Sequence, residues 1–185
     1  MRDAERINYL NNNDVSSFEQ LLSKHLNSLY NFALRLTNDK ENAGDLLQES
    51  CLTAFENFYQ LKDVQKIKPW LLQIMHRKFI NNYRRKKEIQ LIDIDLDENL
   101  LADADNYFDK NEFENMVSDE VQKAFTSLPI EFREVILLAD IEELSYREIS
   151  ATINVPMGTI ASRLYRGHNL LKEKLQEYAR KSGYK

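Results

Sequence analysis

The sequence predicts an all-α protein of two small helical domains joined by an acidic linker. Three observations carry that expectation. Apolar residues recur at helical spacing from Phe18 to Tyr83 and again from Val121 onward. Glycine and proline, 4 and 3 of 185 residues, are too scarce for turn-rich β architectures or glycine-built phosphate loops. Charge is segregated along the chain. The formal net charge of −5 conceals +8 over residues 62–87 (nine Lys/Arg, one acid), −11 over 88–120 (twelve acids, one base) and +5 over 160–185 (seven bases, two acids).

In the first domain, residues 1–88, Phe18, Leu21, Leu22, Leu26, Leu29, Phe32, Ala33 and Leu36 trace one helical stripe. Asn38-Asp39 supplies a cap, and a second helix carries Leu46, Leu47, Leu52, Phe55 and Tyr59. Lysines and Asp63 interrupt the pattern between Leu61 and Lys68. Pro69 then suits a helix start, and Trp70, Leu71, Ile74, Met75, Phe79, Ile80 and Tyr83 lead into Arg84-Arg85-Lys86-Lys87. Trp70 and Cys51, both among apolar positions, are expected in the core, while Tyr83 fits either packing or stacking. Residues 89–118 hold Ile89, Leu91, Ile92, Ile94 and Leu96 among aspartates without a sustained stripe, as a linker would. The second domain, residues 119–185, resumes with Val121, Ala124, Phe125 and Leu128, breaks at Pro129 and continues through Phe132, Val135, Ile136 and Ala139.

Several function classes drop out. Cys51 is the only cysteine, so neither an intramolecular disulfide nor a thiolate zinc cluster can form. His25, His76 and His168 stand in no metal-ligand pairing, and no nucleophile or acid–base pair converges. No apolar run approaches the roughly 18 residues of a membrane span, and Met1 to Arg6 carries charges of both signs where a signal peptide would be basic and then apolar. A cytoplasmic, non-enzymatic protein without cofactor, metal or membrane insertion is expected. Two basic segments on either side of an acidic one point to nucleic acid as a partner.

The last sixty residues are the most specific. Ser145-Tyr146-Arg147-Glu148 has the form of a capping box. It opens a short helix with Ile149 and Ile153 on one face. Asn154 tolerates the left-handed turn that must follow, and Val155-Pro156 leads to a basic helix from about Gly158. Two helices joined by a tight turn make a helix-turn-helix. At about 100° per residue, Ile160, Leu164 and Gly167 share the inward face of the second helix. Ser162, Tyr165, Arg166 and Asn169 lie opposite, with Arg163 on the flank. Arginine bonds guanine in bidentate fashion, and serine and asparagine reach phosphates or base edges, so the outer face suits a major groove.

These residues resemble a known family. Leu144-Ser145-Tyr146-Arg147-Glu148-Ile149, followed by Val155-Pro156-Met157-Gly158-Thr159-Ile160-Ala161-Ser162-Arg163-Leu164-Tyr165-Arg166, is similar to region 4 of the extracytoplasmic-function (ECF) sigma factors of the sigma-70 family. Asp45-Leu46-Leu47-Gln48-Glu49 resembles the D-L-x-Q-E core of region 2. Pro69-Trp70-Leu71-Leu72-Gln73-Ile74, with Phe79 to Lys87, resembles the stretch that follows it. The resemblance implies a specificity subunit of bacterial RNA polymerase. Asp45, Gln48 and Glu49, on one helix face at i, i+3 and i+4, would dock on the clamp helices of the largest polymerase subunit, with the flap as a second contact. Thr159, Ser162, Arg163, Tyr165, Arg166 and Asn169 would read the −35 element. Lys62, Lys66, Lys68, Lys78, Asn81, Arg84, Arg85, Lys86 and Lys87 would track phosphates around the −10 element, where the loop at 61–68 would hold a flipped base. A cognate anti-sigma factor is implied, and the acidic linker is expected to shield the basic faces of the free protein. A stand-alone helix-turn-helix regulator is the alternative.

The chain departs from the family pattern at a few positions. Glu143 and Asn154 stand where glycine is common, and Ala161 where a base is common. Gly167-His168 replaces Ala-Arg, while His76-Arg77 and Asn81 replace Arg-Asn and Asp.

Overall fold

The computed structural model describes residues 12–93 and 119–181, and among these the regular elements are all helical. The linker from 94 to 118, with its expected shielding role, lies outside the described residues. Helices α1 (Asn12–Ser23), α2 (Leu26–Thr37), α3 (Lys40–Glu56) and α4 (Ile67–Asp93) form the N-terminal domain. Helices α5 (Asp119–Thr126), α6 (Ile130–Ile136), α7 (Tyr146–Ile153) and α8 (Met157–Lys181) form the C-terminal one.

The expected first helix is two helices. At Lys24-His25 the chain turns, with the His25 N–H donating to the Leu22 carbonyl at 2.8 Å. Apolar spacing runs on through this turn, and no glycine or proline marks it. The turn lets α1 tuck Phe18 edge-on against Phe55 and Phe58, at centroid distances of 5.5 and 5.1 Å, while α2 buries Leu29, Phe32, Ala33 and Leu36. Asn38 ends α2 in the left-handed conformation (φ 55°), and Asp39 caps α3 by accepting from the Asn42 N–H at 2.7 Å. Two apolar positions assigned to the second helix lie at the surface. Leu52 is 58% exposed on α3, and Tyr59 is exposed on a 3-10 turn (Phe58–Gln60) beyond its end. Leu52 falls on the outer side of α3, whose inner side already buries Ala43, Leu46, Ser50 and Ala54.

Helix α4 is the spine. Pro69 sits in its first turn, where its missing N–H leaves no gap. Leu71, Leu72, Met75 and Phe79 are buried, and Trp70 packs half-buried on the same core. Each such side chain contributes about 1.5–3 kcal/mol of burial. The helix continues to Asp93, past the boundary expected after residue 88. Lys, Glu, Gln and Leu in this stretch are good helix formers, and neither glycine nor proline intervenes to stop them.

In the C-terminal domain, Pro129 precedes α6 as expected. A widened π turn (Leu137–Ile141) then follows, in which the Glu142 N–H donates to the Leu137 carbonyl at 2.9 Å. Glu143 after it is left-handed (φ 57°), which explains why glycine is usual there. The capping box on α7 forms in full: the Glu148 N–H donates to Ser145 Oγ at 3.3 Å, and the Ser145 N–H donates to Glu148 Oε2 at 2.9 Å. Asn154 is left-handed (φ 55°, ψ 47°) at the turn.

Buried apolar side chains from both domains belong to one cluster. Helix α4 lies against α7, and α2 against α6.

Candidate nucleic-acid interface

The second helix of the helix-turn-helix is positioned by its inner face. Ile160, Leu164 and Gly167 are buried, with Ile160 fully enclosed. Gly167 seats α8 against α6, since a Cβ there would lie 2.9 Å from Ile136 Cδ1 and 3.2 Å from Phe132 Cβ. The opposite face is open: Thr159, Ser162, Tyr165, Arg166 and Asn169 are all exposed, Tyr165 by 71%, and Arg163 is half-buried on the flank. Ser162 Oγ donates its proton back to the Thr159 carbonyl at 2.9 Å. In this rotamer the hydroxyl turns its lone pairs outward as an acceptor. His168, beside this face, is tied to Asp140 at 2.7 Å.

The basic residues expected to act as one group divide in two along α4. Lys62 and Lys66 are exposed at its N-terminal end, and Lys68 is half-buried there. Lys78, Asn81, Arg84 and Arg85 line a shallow depression with Glu49 and Asn82 nearer the other end. Seventeen residues separate Lys68 from Arg85, roughly 25 Å at helical rise. Lys86 and Lys87 continue the helix, and their side chains lie outside the described residues. Tyr83 is exposed and stacks on Phe79 at 6.0 Å.

Asp45, Gln48 and Glu49 are exposed together on α3. Leu52, one turn on, adds an exposed apolar centre that sequence reasoning did not assign to this face; its signal was the i, i+3, i+4, i+7 continuation of the polar triplet. A cleft of about 490 Å³ opens beside this face, lined by Asp45, Glu49, Tyr83, Arg85 and, from α6, Arg133. Burial lowers the Arg133 pKa, with nearby Tyr83 opposing, and its Nε has no hydrogen-bond partner.

The N-terminal basic end of α4 meets the other domain. The Lys68 ammonium sits 3.1 Å from Glu142 Oε2 and donates to the Glu142 carbonyl at 2.9 Å. Ser28 Oγ donates to the same carboxylate oxygen at 2.6 Å. His76 pairs with Glu134 of α6, and Gln73 Nε2 donates to the Ala151 carbonyl of α7 at 2.8 Å. Ser145 bonds hold the Glu148 carboxyl below its ordinary range, and Lys66 across the interface adds to that. Among the described residues, no cluster of His, Cys, Asp or Glu is arranged to hold a metal ion, and no helix is long and apolar enough to cross a membrane.

Comparison with known proteins identifies the family. Residues 21–89 match the Sigma-70 region 2 family, and residues 118–169 match Sigma-70 region 4. The chain is 30% identical over 156 residues to the ECF RNA polymerase sigma factor SigM of Bacillus subtilis, covering 84% of this chain and 93% of that protein. It is 31% identical over 170 residues to the ECF RNA polymerase sigma factor SigE of Mycolicibacterium smegmatis, covering 89% of this chain and 64% of that longer protein. Its fold resembles that of the sigma factor RpoE solved in complex with the anti-sigma factor NepR from Bartonella quintana, with a TM-score of 0.70, 25% identity, and coverage of 86% and 97%. With both regions matched in order and a near full-length relative at this identity, the chain belongs to the ECF sigma factors of the sigma-70 family, and it directs promoter-specific transcription in partnership with core RNA polymerase and promoter DNA.

Proposed function

We propose that this sigma factor divides promoter recognition between its domains, with α8 reading the −35 element and α4 with the 61–68 loop engaging the −10 element. The observation that carries this reading is the sidedness of α8. Ile160, Leu164 and Gly167 are buried inward, while Ser162, Tyr165, Arg166 and Asn169 stand exposed on the opposite face, the face a major-groove helix presents. Arg166 supplies a bidentate donor for guanine. Ser162, its proton held by Thr159, accepts from a cytosine or adenine amino group. Thr159 and Arg163 add phosphate contacts beside that face. Lys62, Lys66 and Lys68 at one end of α4, and Lys78, Asn81, Arg84 and Arg85 with Lys86 and Lys87 at the other, supply backbone charge for opened DNA, whose unstacking costs a few kcal/mol per step.

Polymerase docking falls to Asp45, Gln48 and Glu49. Carboxylates at this spacing accept bidentate bonds from arginines on a partner helix, here the clamp helices of the largest subunit. Leu52 gives that contact an apolar centre, which interfaces favour. A flap contact from the C-terminal domain completes the assembly, in the cytoplasm, with an anti-sigma factor as the natural inhibitor. Similarity to a sigma factor solved with NepR supports that last partner.

The test is transcription in vitro with bacterial core polymerase on a promoter library. Wild type should yield sequence-restricted transcripts. Arg166→Ala should lower transcription from the selected promoters about 5–150-fold, the equivalent of 1–3 kcal/mol, and relax preference at one −35 position. Glu49→Arg should lower core affinity without changing promoter preference. Transcripts whose −35 preference ignores Arg166, Ser162 and Tyr165 would refute the assignment of α8.

A further inference from the structure

Helix α6 carries a cation that its surroundings leave unpaired. Arg133 is half-buried, and its Nε is enclosed without a hydrogen-bond partner. Among the described residues no carboxylate lies within ion-pair distance of it. Buried charges are normally paired, because desolvation without a partner is costly. The promoter and polymerase surfaces make no use of Arg133.

This side chain lines the cleft of about 490 Å³ formed by α3, α4 and α6, a size within the roughly 300–1,000 Å³ of small-molecule sites. Arg85 is a second cation in the lining, and α3 supplies two carboxylates, Asp45 and Glu49. No two of these four groups are ion-paired, so charges of both signs stand apart around one space. Helix α4 adds an aromatic wall, in which Phe79 and Tyr83 stack at 6.0 Å and Tyr83 is 48% exposed.

Each part of the lining selects a chemical group. Guanidinium groups bind phosphate in bidentate fashion. An exposed aromatic ring takes a flat heterocycle by stacking. Carboxylates repel an anion but accept from an amino group such as those on nucleic-acid bases. Inorganic phosphate or a simple carboxylic acid would use the arginines alone and be repelled by Asp45 and Glu49. A nucleotide whose base carries an exocyclic amino group uses all three parts.

We propose that this cleft is a nucleotide-binding site, in which Arg133 and Arg85 hold the phosphates, Tyr83 stacks the base, and Asp45 or Glu49 accepts from its amino group. Bound nucleotide covers the two carboxylates and so competes with core polymerase. That consequence rests on the docking assignment of Asp45 and Glu49, whereas the site itself does not.

The experiment is isothermal titration calorimetry of the full chain, without polymerase or DNA, against GTP, ATP, CTP, UTP and inorganic pyrophosphate. The amino-bearing nucleotides should bind with a Kd on the order of 100 μM or tighter. They should bind at least about fivefold more tightly than UTP, which lacks the amino group, and than pyrophosphate. Arg133→Met should weaken binding at least about tenfold, with helix content by circular dichroism unchanged. Should that variant fail to fold, Asn82→Asp serves in its place. It changes one half-buried residue of the lining to a carboxylate of the same size and should weaken binding at least about threefold. Absence of binding at about 1 mM nucleotide, UTP or pyrophosphate binding as tightly as GTP, or affinity unmoved by these substitutions would overturn the proposal.

A core-binding assay separates this inference from the docking assignment. Saturating GTP should weaken association of the wild type with core polymerase at least about fivefold, and should do so less for Asn82→Asp. GTP binding without that competition would support the site and count against docking through Asp45 and Glu49.

Discussion

Gly167 sets how closely the recognition helix sits on α6, and replacing it makes that dependence measurable. The first carbon of any side chain there would lie 2.9 Å from Ile136 Cδ1 and 3.2 Å from Phe132 Cβ, against about 3.5–4.0 Å for a relaxed carbon contact. Ile136 Cδ1 ends a side chain and can turn aside. Phe132 Cβ is fixed to the α6 backbone, so α6 must give way by a few tenths of an ångström. Alanine recovers about 1 kcal/mol of helix propensity, and overpacking costs about 1–3 kcal/mol. Gly167→Ala is therefore destabilised by about 0–2 kcal/mol. Gly167→Val keeps the clash, adds two more carbons and forgoes part of the propensity gain, so it falls about 1 kcal/mol or more below alanine. In a domain of this size 1 kcal/mol moves Tm by about 4–8 °C. Thermal unfolding followed by circular dichroism measures the shift, while fluorescence of Trp70 follows the N-terminal domain separately. A stabilised Gly167→Ala, or alanine and valine variants of equal stability, would refute the close-approach argument.

Other consequences follow from single groups. Because Ser145 holds the Glu148 carboxyl below its ordinary range, the charged cap of α7 contributes above the unfolded-state pKa and is lost as pH falls through the folded one. Glu148→Gln should thus cost about 0.3–1 kcal/mol at neutral pH, and its urea midpoint should converge on wild type in acid; a pH-independent gap would contradict this. Glu143→Gly removes a left-handed non-glycine residue (φ 57°) that costs about 1–2 kcal/mol, partly offset by the chain entropy of glycine. Denaturant unfolding should show a net gain of up to about 1 kcal/mol, and a loss would mean that the Glu143 side chain makes a stabilising contact. Burial raises the pKa of the Cys51 thiol, so its reaction with a disulfide reagent near pH 8 should be slower than that of free cysteine and should accelerate on unfolding. Equal rates would contradict the packing of Cys51.

The helices, the capping box, the left-handed Asn154 and the sidedness of α8 were legible because each depends on nearby residues. Period 3.6 sorts faces, Ser and Glu three apart close a cap, and asparagine tolerates a positive φ. Leu52 marks the limit of that reading: periodicity ranks residues by hydrophobicity and cannot see that the inner side of α3 was already filled by Leu46, Ser50 and Ala54. The break at Lys24-His25 and the π turn at Leu137–Ile141 carry no glycine or proline to announce them.

What the sequence by itself determined is local and modular: two helical domains, their caps, a helix-turn-helix with its reading face outward, and the motifs that place both domains in the sigma-70 family. Only the tertiary structure decided which residues far apart in the chain meet. Ser28 and Glu142 are 114 positions apart and His76 and Glu134 are 58 apart, and Lys68, read from sequence as one more free positive charge, is held by a buried carboxylate of the other domain. The physical reason is range. Helix periodicity and capping act over a few residues, whereas an ion pair across a domain interface depends on how two finished surfaces come together, which no stretch of either surface encodes alone.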